Sequence, residues 1–400
     1  MSAVLRRTST LRVLLAMIAA ALPAAACSAG GDRPAQAASG PTVVDSGGVR
    51  IVLNQVPATG FPLFATLTPS PDLVLGEAGA GGGVAGAVTL PDGRIAVADA
   101  GSREIRFHDA GGGLIASVGG EGEGPGRFQS VSRIGHVASD TVWVADHRSG
   151  QMALVTPAGE AARFAFPAGL TVAGRYADDG FLMVPQWSPS LLEQDWVEGV
   201  RRDSASWGVW WPRGVAAAQT PDFPHDELMV LKGADGPIAA VPPFGRRTSR
   251  AVGADGFWAG DQVTFEIRRF RPDGQLVAIL RLEGVDLTLT DALKASVRPP
   301  RSEGDTALVD RLWRGVPSTR PAYTRLLLDG AGNLWVAEHV AGTQPPINWL
   351  VFSPEGAALG VVTLPAGFEP LEIGTGHMLG VENAEGGGRV VRYGLAPRGG

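Results

Sequence analysis

One cysteine, Cys27, serves all 400 residues, so the chain can form no disulfide within itself. Charged residues make up only 18% of it, and the formal net charge is −6. That balance argues against a broad nucleic-acid surface. No apolar run approaches the ~20 residues that a membrane-spanning helix needs. The best candidate, Val13-Leu-Leu-Ala-Met-Ile-Ala-Ala-Ala-Leu22, is too short. The common catalytic signatures are missing too: H-E-x-x-H, G-x-S-x-G, S-x-x-K and the D-x-D-x-D-G calcium loop. His225-Asp-Glu-Leu228 is internal and cannot act as a C-terminal retention signal.

Two glycine-rich stretches fail as phosphate or dinucleotide sites. Gly81-Gly-Gly83-Val-Ala-Gly86 matches G-x-G-x-x-G, but a strand and the Pro91-Asp92-Gly93 turn follow where a helix is required. The run 119–128 lacks Gly-Lys-Ser/Thr, and Glu121 and Glu123 would repel phosphate. Its plainer role is a crossing between neighbouring sheets.

What is present is a repeat, seen in Gly93-Arg-Ile-Ala-Val-Ala-Asp99. This is a strand that leaves a turn and ends on a carboxylate. Versions of it lie at 94–99, 141–146, 181–186, 257–261, 333–338 and 377–382. Three residues before each polar end sit Ala96, Trp143, Met183, Trp258, Trp335 and Leu379. Side chains alternate faces along a strand, so Trp143, Trp258 and Trp335 are expected at equivalent places between packed sheets. Most copies are followed by apolar-x-x-x-Gly, as in Phe270-Arg-Pro-Asp-Gly274 and Phe352-Ser-Pro-Glu-Gly356. Pro presets φ and Gly accepts positive φ, which makes this a hairpin turn. Four antiparallel strands at a period of about 40 to 47 residues is the signature of a propeller. Gly 56, Pro 30 and 44% apolar residues suit such a turn-rich all-β chain. The predicted fold is an all-β, six-bladed β-propeller of four-stranded antiparallel blades over residues 49–400. The last copy lacks a fourth strand, and Val49-Arg-Ile-Val-Leu-Asn54 is an orphan, so that N-terminal strand is expected to complete the last blade beside residues 388–394.

Residues 1–27 read as an export signal: Arg6, Arg7 and Arg12 precede the apolar run, and Ala24-Ala-Ala-Cys27 ends it. That end resembles a bacterial lipobox, in which the cysteine is lipidated and becomes the first mature residue. Ser28 in place of Asp implies an outer-membrane anchor facing the periplasm. Residues 28–48 are small and polar, a predicted flexible tether.

The segment Gly124-Pro-Gly-Arg-Phe128, then Asp140-Thr-Val-Trp-Val-Ala-Asp146, then Val155-x-Pro-x-Gly159 resembles the NHL-type repeat. The wider chain, about 49–395, is similar to the six-bladed β-propeller lipoproteins of GC-rich bacteria. Its further support is Asp329-Gly-Ala-Gly-Asn-Leu-Trp-Val-Ala-Glu338. The resemblance implies a fold and brings no established activity.

Two units are stretched, at 187–206 and 284–320. The second is a predicted helical insertion, with Thr290 or Asp291 as one cap and Asp305 or Thr306 as another. Strand parity puts both insertions, the glycine-rich crossing and the strand-ending carboxylates on one face. Asp99, Asp146, Gln186, Asp261, Glu338 and Glu382 would ring it, with His147 and His339 beside two of the acids. As a functional site this is a ligand or metal rim, for Ca or Zn. The plainer explanation is that each acid accepts backbone N–H bonds in its own turn. Trp187 and Trp196 could stack on a sugar or aromatic ligand, or simply pack the insertion.

The missing catalytic motifs favour a binding or scaffold propeller over an enzyme. It would be tethered by lipid, monomeric, and engage a glycan, peptide or protein in the periplasm or at the cell surface. The alternative is a metal-dependent lactonase, hydrolase or lyase with its site at the axial mouth.

Overall fold

The computed structural model describes residues 40–77, 83–186, 188, 197–212, 218–233, 236–298, 306–340, 346–384 and 387–397. Residues from Gly40 onward form one compact unit. The export segment with Cys27, and Trp187 and Trp196, lie outside the described residues. Among the described residues no helix is long and apolar enough to cross a membrane.

Every copy of the recurring strand is the second strand of an antiparallel sheet. The first sheet runs Val84–Thr89, Ile95–Asp99, Glu104–His108, Leu114–Gly119, in that spatial order. The second is Arg133–Ala138, Thr141–Asp146, Gln151–Thr156, Gly159–Ala165. The third is Leu170–Arg175, Phe181–Pro185, Ser204–Trp210, Ala218–Pro224. The fourth contains Ser249–Gly253, Gly256–Gly260, Glu266–Phe270, Leu276–Glu283, and the fifth Arg325–Leu328, Leu334–Ala337, Ile347–Phe352, Ala358–Leu364. The sixth starts Phe368–Gly374, His377–Ala384, Gly387–Pro397. The first strands of these sheets touch one another in cyclic order, the sixth returning to the first. The fold is a β-propeller.

The reason for the strand composition is visible in the packing. A second strand is sandwiched between two neighbouring blades, so both of its faces must be apolar, and Ile95–Asp99 is buried at every position. Among the described residues the buried side chains form six clusters, one at each blade boundary, rather than a single core. Ile95 and Val97 pack toward the sixth blade, whereas Ala96 and Ala98 pack toward the second. Trp143, Trp258 and Trp335 each face the following blade, as their shared phase predicts. Outer strands show the opposite habit: Leu114 and Ile115 are exposed. The innermost strands are crowded. A Cβ at Gly174 would lie 2.5 Å from the Cβ of Val252 on the next blade.

Closure differs from the expectation. Val49–Gln55 does not pair with the last blade. It runs parallel to Leu276–Glu283 of the fourth blade, Arg50 opposite Ala278 through Gln55 opposite Glu283. Thr42–Ser46, expected in the tether, pairs antiparallel with it, so the sheet of the fourth blade has six strands. The sixth blade is completed by other N-terminal strands: Ala65–Leu67 and Leu73–Glu77 both lie antiparallel to Gly387–Pro397. Just before Ala65, Leu63 forms a parallel bridge to Val361 of the fifth blade, and Phe64 N–H donates to the Val361 carbonyl at 2.9 Å. The N-terminal segment is therefore a belt along the outer edges of three successive blades.

Asn54 explains the belt's anchorage. It is 3% exposed. Its Nδ2 donates to the Gly356 carbonyl at 2.9 Å, and its Oδ1 accepts from Ala358 N–H at 2.8 Å. A buried side-chain amide thus supplies both halves of a strand-like pairing to the turn of the next blade, while Val52 fills the gap beside it. Asn54→Ala should leave a buried N–H and C=O unpaired, costing about 1–3 kcal/mol. The check is the urea midpoint of the mature chain; an unchanged midpoint would remove Asn54 as the latch.

Candidate functional site

All six second strands run the same way, so their polar ends lie on one face. The loops there are elaborated into a cap. The insertion within the third blade contributes Gly199–Arg201, which pairs with Leu228–Lys232, itself paired with Pro237–Ala240. The last two strands lie in the crossing from the third blade to the fourth, where sequence reasoning placed none. The crossing from the fourth to the fifth blade carries two helices, α1 (Asp291–Val297) and α2 (Thr306–Trp313). Thr290 caps α1, its Oγ1 accepting from Leu293 N–H at 3.1 Å. Arg311 of α2 pairs with Glu198 at 3.1 Å and donates to the Lys232 carbonyl at 3.1 Å, joining helix to sheet. Arg246 is the second strut: it pairs with Glu227 at 2.8 Å and donates to Thr319 Oγ1 at 2.7 Å.

Beside the 241–247 loop lies an open cavity of about 620 Å³, bounded by that loop and the mouths of the fifth and sixth blades. Phe244, Arg247, Gln262, Arg325, His339 and Trp349 are among its walls. Phe244 and Gln262 hold φ of +59° and +65°, a conformation disfavoured for side chains of that size. Gln262 is kept there by its own hydrogen bonds. Its Oε1 accepts from Arg247 N–H at 2.8 Å, and its Nε2 donates to Ser249 Oγ at 2.8 Å and the Thr324 carbonyl at 2.9 Å. Strain of this kind, fixed by surrounding structure, clusters at functional sites. His339 also lines a neighbouring cavity of about 340 Å³ with Glu338 and Arg320. Burial, then the Arg320 cation, holds its imidazole below the ordinary range, so it is neutral at neutral pH. Among the described residues its buried Nδ1 has no hydrogen-bond partner.

The predicted rim residues do not behave as a set. Three acids serve their own turns. Asp99 accepts from Gly101 and Ser102 N–H and pairs with Arg106 at 3.1 Å. Asp146 accepts from the N–H groups of Gln129, Ser130, Arg148 and Ser149 and from Ser130 Oγ. Asp261 accepts from Val263 N–H at 3.0 Å. Two others act differently: Glu338 accepts from Asn348 Nδ2 at 3.1 Å, and Glu382 pairs with Arg389 at 2.8 Å and accepts from the Tyr393 hydroxyl. Burial together with Glu382 pushes that phenol up to about 12. His147 Nδ1 sits 3.2 Å from Ser130 Oγ. Gln186 donates its backbone N–H to the Gly169 carbonyl at 2.8 Å. Among the described residues no three His, Cys, Asp or Glu are grouped so as to hold a metal ion. Of the eight rim residues only His339 lines the larger cavity. What sequence reasoning missed is the 225–248 crossing, and the readable signal there was three positive charges, Arg246, Arg247 and Arg250, entering a strand.

No protein-family model matches the chain, and no curated protein matches it in sequence. In three dimensions it is similar to a member of the DUF4221 family from Bacteroides vulgatus, at 8% identity and a TM-score of 0.51, over 84% of this chain and 99% of that one. It is also similar to virginiamycin B lyase from Staphylococcus aureus, at 11% identity and a TM-score of 0.41, over 78% of this chain and 94% of the lyase. A third likeness is the β-propeller domain of Swd1 from Myceliophteria thermophila, at 10% identity and a TM-score of 0.37, over 81% of this chain and 99% of that domain. At these identities the first likeness speaks to fold alone, and the other two carry no argument.

Asp146 gives a pH prediction. Burial opposes its charge, but the hydrogen bonds from Ser130, Ser149 and Gln129 outweigh it and hold the carboxyl below its ordinary value. A carboxyl depressed in the folded state contributes stability above its unfolded pKa of about 3.9 and loses it as pH falls further. Asp146→Asn should cost about 1–3 kcal/mol at neutral pH. It should also flatten the fall in denaturant midpoint below about pH 4. Parallel wild-type and variant pH profiles would refute the assignment.

Proposed function

We propose that this chain is an exported, lipid-anchored NHL-type propeller that works as a binding module. Its capped face would take a glycan, peptide or protein in the periplasm. Export and anchoring rest on the sequence: the basic start, the apolar run and the Ala24-Ala-Ala-Cys27 end. Binding rests on one observation, the open 620 Å³ cavity between the 241–247 loop and the mouths of the fifth and sixth blades. Loops elaborated on a fixed frame are the usual location of recognition. The walls offer aromatic surface in Phe244 and Trp349 and charge in Arg247 and Arg325, which suits a ligand with both polar and apolar parts.

His339 favours a second reading. A neutral imidazole with an unpartnered nitrogen in the cavity wall is suited to metal ligation or to proton transfer. The chain would then be a metal-dependent lactonase, hydrolase or lyase acting at the axial mouth, with Ca or Zn.

Anchoring is checked by detergent phase partition of the full chain: wild type should enter the detergent phase and Cys27→Ser the aqueous phase. Equal partition would end the lipoprotein reading. Binding is checked by probing arrays of bacterial glycans and peptides with the mature chain. The expected result is a ligand whose affinity falls tenfold or more in Arg247→Ala. A blank array, with stoichiometric metal in protein purified without chelator and lost in His339→Ala, would favour the metal-dependent reading instead.

A further inference from the structure

The axis of the propeller holds an unusual set of charges. A cavity of about 530 Å³ runs along the innermost strands, and its walls include Arg133, Arg175, Arg250 and Arg325 but no carboxylate. Arg133 and Arg325 are the first residues of their strands and Arg250 the second, so these three enter from the capped face. Arg175 ends its strand and lies at the opposite end.

The charges are not equally balanced. Arg325 is paired with Glu369 at 2.7 Å, and Arg175 with the exposed Asp179. Neither Arg133 nor Arg250 has a carboxylate partner among the described residues. Arg133 donates to the Ala173 carbonyl at 2.5 Å. Arg250 lies over the Trp207 ring at 5.7 Å, and its buried Nε has no hydrogen-bond partner. Asp226 acts on Arg250 through its charge, and itself sits 3.9 Å from Arg247.

These guanidinium groups oppose one another. Burial first, then Arg133, pushes Arg250 down to about 10. Burial, then Arg325, lowers Arg133. Yet Arg133 keeps more than a third of its surface open to water. A side chain that is surrounded by protein and still wet lines a channel rather than a packed core. Two cations without a paired carboxylate among the described residues, at the wall of a water-accessible cavity, form a receptor for an anion.

We propose that the axial channel binds a phosphate group, free or carried as the ester of a small molecule, between Arg133 and Arg250, with Arg325 at its edge. Two guanidinium groups without a paired carboxylate among the described residues suit a phosphate dianion. Planar guanidinium forks suit its oxygens better than a lysine would. The volume exceeds that of one phosphate and leaves space for a sugar-sized body. This inference stands apart from lipid anchoring and from whatever the capped face binds.

The test uses the mature chain, prepared without phosphate, titrated with inorganic phosphate, glycerol phosphate, sulfate and acetate at constant ionic strength. Binding is read by calorimetry and by thermal shift. Phosphate or its ester should bind at least tenfold tighter than acetate. Arg133→Gln and Arg250→Gln should each weaken it tenfold or more, whereas Arg175→Gln at the far end should not. Tighter binding of glycerol phosphate than of phosphate would assign an ester; the reverse would assign the free ion. No saturable binding by wild type, or the same response to all four anions, would overturn the site, and this holds whether or not the variants fold.

Discussion

Ring closure is the constraint on which the rest of this structure depends. A propeller's blades share no common core, and each is held only by its two neighbours. The buried side chains here accordingly fall into one cluster per blade boundary. Such a ring is only as secure as the joint between its first and last blades. In this chain that joint is Leu73–Glu77 against Gly387–Pro397, with Leu75 buried between the sixth and first blades. The strands that precede it extend the grip. Val49–Gln55 adds to the fourth blade, Leu63 to the fifth and Ala65–Leu67 to the sixth. Ring opening must therefore strip a belt from three blades, and Asn54 fixes the point where the belt crosses from the fourth to the fifth. Pairing along outer edges also covers strands that would otherwise invite intermolecular pairing.

The same geometry divides the molecule into a rigid part and a variable one. Second strands are buried on both faces, and innermost strands are so close that Gly174 has no room for a side chain. Neither place can accept polar machinery except at strand ends. Chemistry is thus confined to where strands begin and finish, and the insertions lie on one face. There the 225–248 crossing, the insertion of the third blade and the two helices join through Arg246 and Arg311 into a cap. The positive φ at Phe244 and Gln262 occurs in that same region, at the wall of the 620 Å³ cavity.

The strand-ending acids show how one sequence feature can serve several physical purposes. Asp99, Asp146 and Asp261 satisfy backbone donors of their own turns, which accounts for their recurrence without any ligand. Glu338 and Glu382 are one methylene longer and reach neighbouring strands instead, to Asn348 and to Arg389 with Tyr393. Positive charge gathers elsewhere, at the start of the innermost strands. Arg133 and Arg250 line the axial cavity without a paired carboxylate among the described residues, and charge held out of bulk water is costly.

Period and phase were legible in the sequence. A strand buried on both faces must be apolar at every position, and a strand that starts after a turn must carry turn chemistry. The six copies therefore appear as text, and Trp143, Trp258 and Trp335 could be placed on the same side of their blades. A helix cap at Thr290 or Asp291 was readable for the same reason, since a cap is local, and Thr290 takes it. Pairing between distant segments was not. Val49–Gln55 and Leu73–Glu77 are both short apolar strands, and nothing in their residues says which blade edge each will meet. That choice depends on the gap Val52 fills and the turn Asn54 reaches, which exist only once the fourth and fifth blades have packed. The cavity walls were hidden likewise. Arg133, Arg250 and Arg325 are far apart in the chain and become neighbours only because the ring closes, so the sequence determined the blade and the tertiary structure decided what stands at the axis.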